Sequence, residues 1–442
     1  MNQDDIKKYI VCINGGSGVV FQSMDIDYSY ILTAKHVFDD ISTELYNNLV
    51  SIHLFNTISN TYEIVKPPFE LEIGENYFPH SEDGVDIAII KLPKIDNVEK
   101  IIVKEDISID NMNYCLYGYP SIRRNPINQP INSGWFRSDL NVTILTEIEN
   151  KRREADISKN QNYTELKGSS GGGIVKIQGD YLVLAGIQSR VVSNEEALGR
   201  IEFTPMIYFN EIIDQYSDKL LKLLPSYMRG FAMLKEEVIK LEGYVNSVSS
   251  LAIRGRLKLQ VDRIILSPND INKTFKDQLL ISKENKETVL SEKLWIAWLE
   301  YLIVLQIVKE KTLNSQELCE IFNNIRLIHS DTYKDWFKIM DDIFETDLYG
   351  LNDKGILIVS TNKIPQYNTI PTGLIADIAN ASSVSEFKTD NAGHPLSQFK
   401  FIHIKAFEKL ITDNQTDINA NYTGLNISKL ETKLKTIFDE IL

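Results

Sequence analysis

Three segments of the chain carry residue types that together could perform acyl transfer. In 168–173, glycines flank a serine pair; such a turn can bring amide N–H groups toward a substrate and leave the Ser170 hydroxyl exposed. His36 follows an apolar run with the small Ala34 two places before it, which suits a general base held in one rotamer. Asp86 heads another apolar run, where a buried carboxylate needs a donor such as an imidazole N–H.

Each segment also has a purely structural interpretation. Gly/Ser clusters usually mark turns, and a single histidine after a strand often serves packing alone. Asp86 could end its loop or accept hydrogen bonds from nearby amides. Asp83 competes for the role of the acid, but it lies in the polar part of the loop, and we expect its removal to be tolerated.

The elements that must position these residues are short and strand-like up to about residue 209. Runs of β-branched and aromatic residues, broken by Gly, Pro, Asn and Asp, are typical of an all-β sandwich or barrel. We predict strands at 9–14, 18–22, 30–33, 50–54, 63–65, 87–92, 114–117, 142–148, 173–177, 181–188 and 201–204. The polar segment 150–164 is interpreted as a solvated surface loop, with a mobile loop that must be ordered for activity as the alternative.

Beyond Pro205 the spacing of apolar residues becomes helical. We predict helices at 207–224, 227–249, 293–311, 315–328, 333–344, 397–412 and 427–441, with one strand at 355–360. The domain boundary is expected between 206 and 225. The sequence therefore predicts an all-β domain over 1–215 and a mainly α-helical domain over 225–442.

Composition narrows the classes of function. The 442 residues carry a formal charge of −14, which argues against a general binder of nucleic acid or of an anionic membrane. Cys12, Cys115 and Cys319 are widely separated, so we expect neither a disulfide framework nor a zinc cluster. With no signal-peptide pattern and no apolar run long enough to span a bilayer, we expect a cytoplasmic protein.

The helical half offers no nucleophile motif, phosphate loop or metal-ligand spacing. His394 and His403, with Asp390 nearby, could be imagined as ligands, but we interpret both as structural histidines. Trp295 and Trp298 lie at helical spacing and are expected in the core. We predict no cofactor and no metal.

Taken in order, the three segments resemble the trypsin-like (chymotrypsin-fold) serine proteases. The resemblance rests on Thr33-Ala34-Lys35-His36, on Asp86-Ile87-Ala88-Ile89-Ile90, on Gly168-Ser169-Ser170-Gly171-Gly172 and on the strand-like Ala185-Gly186-Ile187-Gln188-Ser189-Arg190. Other folds with the same triad place its members in a different order. The likeness covers about 8–215 and implies a double β-barrel of the bacterial intracellular type.

The resemblance implies a role for each residue. His36 is the general base and then the general acid, Asp86 fixes its tautomer and stabilises the imidazolium, and Ser170 is the acylated nucleophile. The N–H groups of Gly168 and Ser170 form the oxyanion hole. The serine at the position of Ser189 contacts the buried acid and pairs with the substrate through its backbone.

The resemblance describes the substrate pocket less fully. It places Thr164 at the base of the pocket and Arg190, Val191 and Glu202 as candidates for its wall. Thr164 cannot supply the negative charge that favours Lys or Arg at the cleavage site, so Glu202 is the candidate for that charge. Ser169 stands where zymogen-type relatives have the Asp that pairs with a freed N-terminus, so activation by N-terminal insertion is not expected.

The predicted function is therefore an intracellular serine endopeptidase that cleaves a protein substrate and is gated by its C-terminal domain or a partner. A protease joined to a helical domain also resembles proteases of bacterial conflict (anti-phage) systems, including ABC-type three-component systems, whose C-terminal domains couple to regulatory or effector proteins. The alternatives are a catalytically silent protease-fold binding or scaffold protein in a multi-component system and an esterase-like activity. No membrane or nucleic-acid partner is expected.

Overall fold

The computed structural model describes most of the chain and resolves two compact units, Met1–Ser226 and Tyr227–Leu442. The described residues are 3–42, 49–56, 59, 61–104, 114–124, 136–141, 151–157, 166–178, 181–191, 200–332, 334–352, 354–365, 369–370, 399–422 and 427–442.

The first unit is built on two β-sheets. The strands of the first sheet are β1 (Ile10–Ile13), β2 (Gly16–Phe21), β3 (Tyr28–Thr33), β4 (Leu49–Asn56), β5 (Thr61–Glu70), β6 (Tyr77–Pro79) and β7 (Ala88–Pro93). They are antiparallel in the order β5-β4-β1-β2-β3-β7-β6. Among the described residues no pairing joins β5 to β6, so this sheet is open.

The second sheet closes on itself. Its strands are β8 (Ile101–Val103), β9 (Tyr114–Gly118), β10 (Phe136–Asn141), β11 (Arg153–Ile157), β12 (Gly173–Gln178), β13 (Tyr181–Val191) and β14 (Arg200–Pro205). Because β12 pairs with both β9 and β13, strands β9 to β14 form a ring of six antiparallel strands, and β8 adds to β13 in parallel. The prediction of an all-β N-terminal region is confirmed.

Strand β13 lies between two hydrophobic cores. Its residues Leu182 and Leu184 belong to the core of the first sheet, whereas Ala185 packs inside the six-stranded ring. This follows from the geometry of a strand, in which successive side chains point to opposite faces. The strand is therefore held firmly on both faces.

Several predictions for the first unit need correction. The segment 150–164 is not a surface loop throughout, because β11 occupies part of it and pairs with β10 and β14. Strands β6, β8 and β10 were also missed, and the prediction at 142–148 lies outside the described residues. Charged and polar residues on β10 and β11 hide the apolar alternation by which strands are recognised. After β14, the helix α2 (Phe209–Gln215) closes the unit; the chain begins with α1 (Gln3–Ile6).

The second unit mixes helices and strands, so the prediction of a mainly helical domain was only partly right. Its strands are β15 (Ile325–Ser330), β16 (Ile356–Thr361), β17 (Thr369–Ile370) and β18 (Lys400–His403), in the order β15-β16-β18-β17. The first three in that order are parallel, and β17 is antiparallel to β18. The predicted strand at 355–360 corresponds to β16.

The described part of the second unit also contains helices. They are α3 (Ser247–Val261), α4 (Pro268–Phe275), α5 (Glu292–Lys309), α6 (Ser315–Phe322), α7 (Met340–Phe344), α8 (Lys405–Asp413), α9 (Gln415–Asn421) and α10 (Ile427–Asp439). Short 3₁₀ helices occur at Lys7–Tyr9, Lys35–Ser42, Ser121–Arg123, Met206–Tyr208, Ser226–Arg229, Phe231–Glu237, Lys276–Leu279, Lys286–Leu290 and Trp336–Ile339.

Three helix predictions are wrong, two of them because part of the segment is a strand. The predicted helix 315–328 ends at Phe322 and continues as β15, and the predicted helix 397–412 contains β18 before α8 begins. Segment 227–249 forms 3₁₀ helices and turns before α3. Short apolar runs in a buried parallel sheet cannot be told from helix segments by periodicity.

Helix α5 is rich in apolar residues and is buried on nearly every side. Its Glu300 lies 3.5 Å from the Lys405 ammonium group, which also contacts Glu408 at 3.1 Å. None of the helices that the structure describes combines the length and the apolar character needed to cross a bilayer.

Candidate active site

Strand register brings His36 and Asp86 to one edge of the first sheet. His36 lies in the 3₁₀ helix Lys35–Ser42, directly after β3, and Asp86 lies just before β7. Strands β3 and β7 are antiparallel neighbours, and Thr33 pairs with Ala88. His36, which follows the end of β3, and Asp86, which precedes the start of β7, therefore lie side by side, although 50 positions separate them in the chain.

The Asp86 carboxylate receives two hydrogen bonds from His36. Its Oδ1 accepts the backbone N–H at 2.9 Å, and its Oδ2 lies 2.7 Å from Nδ1 of the imidazole ring. The carboxylate thereby places the proton of a neutral imidazole on Nδ1 and leaves the lone pair on Nε2, the form that a general base needs. The His36 side chain is 41% exposed and that of Asp86 is 17% exposed, so a substrate can reach the imidazole while the acid is shielded.

Ser189 is the third donor to Asp86. Its hydroxyl donates to Oδ2, and the residue is almost fully buried. A β-bulge in β13 turns the Ser189 side chain toward Asp86. Gln188 and Arg190 pair with successive residues of β14, which leaves Ser189 as the extra residue. The contact with the acid, which the resemblance implied, is present in the structure.

The same strand holds the loop that carries Ser170. The Gly171 N–H donates to the Gln188 carbonyl at 2.8 Å, and the Gln188 N–H donates to the Gly172 carbonyl at 2.8 Å. Gln188 directly precedes Ser189. One end of β13 therefore positions both the hydroxyl that contacts the acid and the loop of the predicted nucleophile.

A second set of contacts ties this loop to the first sheet. The Ser17 N–H donates to the Ser170 carbonyl at 2.7 Å, and the Thr33 hydroxyl donates to the Ser17 carbonyl at 2.6 Å. A β-carbon built on Gly16 would lie 2.5 Å from the Val37 side chain and 3.1 Å from the Ser170 carbonyl oxygen. Val37 follows the histidine in the chain, so the segments of the base and of the predicted nucleophile pack against the same glycine.

These supporting residues were not found by sequence analysis. Gly16 and Ser17 belong to the β1–β2 hairpin, and their residue types indicate only that the chain turns there. Their role arises from a contact across more than 150 positions, which no local pattern reveals. Thr33 is part of the sequence motif around the histidine, but its hydrogen bond to the Ser17 carbonyl has no signature in the sequence.

The loop leaves two backbone N–H groups available. Within the described part of the chain, no protein acceptor takes a hydrogen bond from the N–H of Gly168 or of Ser170. Gly168 has φ +90°, a left-handed conformation that favours glycine. Unpaired N–H groups beside a serine have the chemistry of an oxyanion-binding site.

The predicted pocket is described only in part. Thr164 lies outside the described residues. Arg190 is exposed and Val191 half-buried, and the Arg190 guanidinium lies 2.8 Å from the Glu202 carboxylate. Arg152 also contacts Glu202, whose side chain is 11% exposed. Two arginines thus neutralise Glu202, and the prediction that it could offer a free negative charge to a basic substrate was wrong.

Ser169 lies in the interior. It is fully buried, and among the described residues its hydroxyl has no hydrogen-bond partner. No carboxylate occupies this position in the sequence, so the loop must be held by other contacts than an ion pair with an N-terminus.

The second unit contains buried histidines in hydrogen-bond networks. His403 is fully buried, its Nε2 lies 3.1 Å from the Thr361 hydroxyl, and its Nδ1 accepts the Lys405 N–H. Burial and the Lys405 charge lower the pKa of His403 to about 3. His394 and Asp390 lie outside the described residues. The described ranges contain no group of three or more His, Cys, Asp or Glu side chains arranged to hold a metal ion.

Comparison with known proteins gives one finding for the C-terminal part. A search of the curated proteins returned no match. A family model matches just under half of the chain, and the match begins within β14, so that it includes α2 as well as most of the second unit. Residues 203–413 match C-terminal domain 4 of the ABC-three component (ABC-3C) systems, and the C-terminal part of this chain is similar to that domain.

Proposed function

We propose that this protein is a serine endopeptidase of the trypsin-like type that works within a multi-component system. His36, Asp86 and Ser170 act as the catalytic triad, and the N–H groups of Gly168 and Ser170 form the oxyanion hole. The observation that carries the proposal is the Asp86 carboxylate, which accepts both His36 donors and the Ser189 hydroxyl. The strand that supplies Ser189 also holds the loop of Ser170.

The arrangement supports a defined sequence of steps. The Ser170 hydroxyl attacks the carbonyl carbon of a peptide bond and passes its proton to Nε2 of His36. The carbonyl oxygen becomes an oxyanion held by the two free N–H groups, a contribution of about 3 kcal/mol per donor. His36 then gives its proton to the leaving amine, and a water molecule hydrolyses the acyl-enzyme by the same steps in reverse. Asp86 stabilises the imidazolium in both halves.

Beyond Ser189, β13 is paired with β14 on one side and with no strand of the described residues on the other, and this free side supports a peptide as the substrate. Extended peptides bind proteins by adding a strand to an exposed edge, and the family resemblance places the substrate beside this residue. Arg190 at this edge is 56% exposed. Because Glu202 is already paired, the proposal includes no preference for basic residues at the cleavage site.

A fluorophosphonate probe tests the catalytic part of the proposal. We expect it to label Ser170 of the wild type at a rate that rises with pH as His36 loses its proton. Ser170→Ala should abolish labelling and the cleavage of a fluorescent casein without loss of folding. Ser81→Ala, a change at an exposed serine of the same unit, is the matched control and should label normally. A wild type that stays unlabelled with and without its partners would overturn the proposal.

The second candidate is a protease-fold scaffold without catalysis. The match to a C-terminal domain of three-component systems favours it equally, since such a domain fits a role in coupling to partner proteins. In both versions we propose that the C-terminal part binds a regulatory or effector protein and that the system serves defence against phage. Comparison of cleavage fragments between wild-type and Ser170→Ala cells separates the two, because the scaffold predicts no difference between them. The expected cytoplasmic location stays a prediction.

A further inference from the structure

Without a carboxylate at Ser169, another group must hold the oxyanion loop in shape. The segment 121–124, which forms a 3₁₀ turn after β9, is hydrogen-bonded to the loop. Two of its groups contact the peptides on either side of Gly168. The Ser121 N–H donates to the Lys167 carbonyl at 2.7 Å, and Arg124 Nη2 lies 2.8 Å from the Gly168 carbonyl oxygen.

These two contacts fix the direction of the Gly168 N–H. In a trans peptide the C=O and N–H groups point in opposite directions. Because the Lys167 carbonyl points toward Ser121, the Gly168 N–H points away from the 121–124 turn. The next peptide is fixed in the same way, since its carbonyl faces Arg124 and its Ser169 N–H donates to the Leu166 carbonyl at 3.0 Å.

Arg124 is a buried residue whose guanidinium is hydrogen-bonded to several backbone carbonyls. Its side chain is 8% exposed, and its guanidinium donates to the carbonyl groups of Asn14 at 2.7 Å, Gly16 at 2.9 Å and Tyr119 at 3.0 Å besides that of Gly168. A buried charge is costly unless it is fully hydrogen-bonded, and the planar guanidinium can donate in several directions at once.

The absence of a counter-charge is informative. Within the described ranges, no carboxylate lies at ion-pair distance from Arg124. In the described part of the chain the guanidinium therefore donates to carbonyl groups, and these come from the β1–β2 hairpin, from Tyr119 after β9 and from the loop of Ser170.

From these contacts we infer that Arg124 is a positioning residue that preforms the oxyanion hole. It holds the peptide that follows Gly168, while the Ser121 N–H holds the peptide that precedes it; with both peptides fixed, Gly168 cannot rotate and its N–H stays directed at the substrate. In this role Arg124 takes the place of the aspartate clamp of zymogen-type relatives. The inference rests on the proposed function for its catalytic consequence, but the loop geometry can be tested independently. In this arrangement the hole is formed without a cleaved N-terminus.

The test compares Arg124→Met and Arg124→Lys with the wild type. Loss of an oxyanion donor lowers the rate of acyl transfer by about 10²-fold or more, so Arg124→Met should react with the fluorophosphonate about 100-fold more slowly. Arg124→Lys keeps the charge but cannot reach four carbonyls, and we expect about a tenfold loss. Arg200→Lys, which changes an exposed arginine paired with Glu154 and Asp156, should react like the wild type.

Two further readouts separate positioning from general damage. The midpoint of the pH–rate profile reports His36, whose contacts with Asp86 do not involve the turn, so it should stay within about 0.3 pH units in both variants. Hydrogen exchange should rise at least about tenfold in a peptide covering 166–173, while β3 and β7 keep wild-type exchange. If the first variant does not fold, Arg124→Lys carries the test.

Each outcome decides between the proposals. A folded variant that reacts at the wild-type rate, or whose pH midpoint shifts together with its rate, overturns the positioning role. If the wild type itself is not labelled, the proposed function fails, and hydrogen exchange alone decides on Arg124. Faster exchange in 166–173 then supports the clamp, and unchanged exchange overturns it.

Discussion

Gly171 lies directly against the carbonyl oxygen of Ser17. A β-carbon built on this glycine would come within 2.0 Å of that oxygen and 2.4 Å of the Thr33 hydroxyl, and its φ is +84°. The loop of the proposed nucleophile can approach the first sheet this closely only because the position has no side chain.

Gly171→Ala should therefore damage both stability and the site. A left-handed φ costs about 1–2 kcal/mol for alanine, and the contact with Ser17 forces the loop to move, so we expect a loss of about 3 kcal/mol or more. Urea unfolding measures it, and fluorophosphonate labelling should fall to background. Gly15→Ala is the matched control, since a β-carbon there meets nothing within 4 Å; equal stability of the two variants would contradict the expected crowding.

Asp86→Asn should lower the rate at which Ser170 reacts while leaving the protein folded. The amide keeps the size of the side chain but loses the charge that stabilises the imidazolium and fixes its tautomer, so labelling of Ser170 should fall about 10⁴-fold. Asp83→Asn, in the exposed part of the same loop, should react like the wild type. A folded Asp86→Asn protein that reacts within tenfold of the wild-type rate would remove Asp86 from the proposed mechanism.

We expect His403 to make the stability of the second unit sensitive to acid. Its pKa is about 3 in the folded protein, below the ordinary value of about 6.5, so between these two values the unfolded chain binds one proton more. Stability is then fully present above pH 6.5 and falls by about 1.4 kcal/mol per pH unit below it. Burial is the largest cause of the lowered pKa, and the charges of Lys405 and His329 add to it.

The difference between the wild type and His403→Gln isolates this effect. Tryptophan fluorescence in urea can follow it, because Trp336 packs edge-to-face on His403. From pH 7 to pH 5 the wild type should lose about 2 kcal/mol more than the variant. Parallel pH dependence of the two proteins would show that His403 titrates normally.

The candidate catalytic residues and their order could be predicted from the sequence, but the residues that hold them in place could not. His36 and Asp86 stand at the ends of apolar runs that local pattern identifies, and β3–β7 pairing brings them together. Arg124 and Ser17 act only through contacts made by folding, and an arginine in a turn carries no signal of its own. The same limit explains β15 and β18, whose short apolar runs fit a helix as well as a parallel strand.

Lys405 should be essential to the second unit because it compensates a buried acid. Burial raises the pKa of Glu300 and would by itself lower the pKa of Lys405, whereas Glu300 and Glu408 raise the pKa of the lysine. Glu300 is buried, whereas the Lys405 side chain is 37% exposed, so solvent screens part of the attraction between them. Removing the lysine still leaves a buried acid without compensation, and we therefore expect Lys405→Met to lower the free energy of unfolding by about 1–2 kcal/mol at neutral pH.

Two variants control this prediction. Lys409→Met changes an exposed lysine of the same helix, 3.5 Å from Asp413, and should cost less than about 0.5 kcal/mol because exposed pairs contribute little. Adding Glu300→Leu to Lys405→Met should restore much of the loss, since the buried charge is then gone and the site is apolar. If Lys405→Met unfolds like Lys409→Met in urea, Glu300 must be compensated by another group or be neutral in the folded protein.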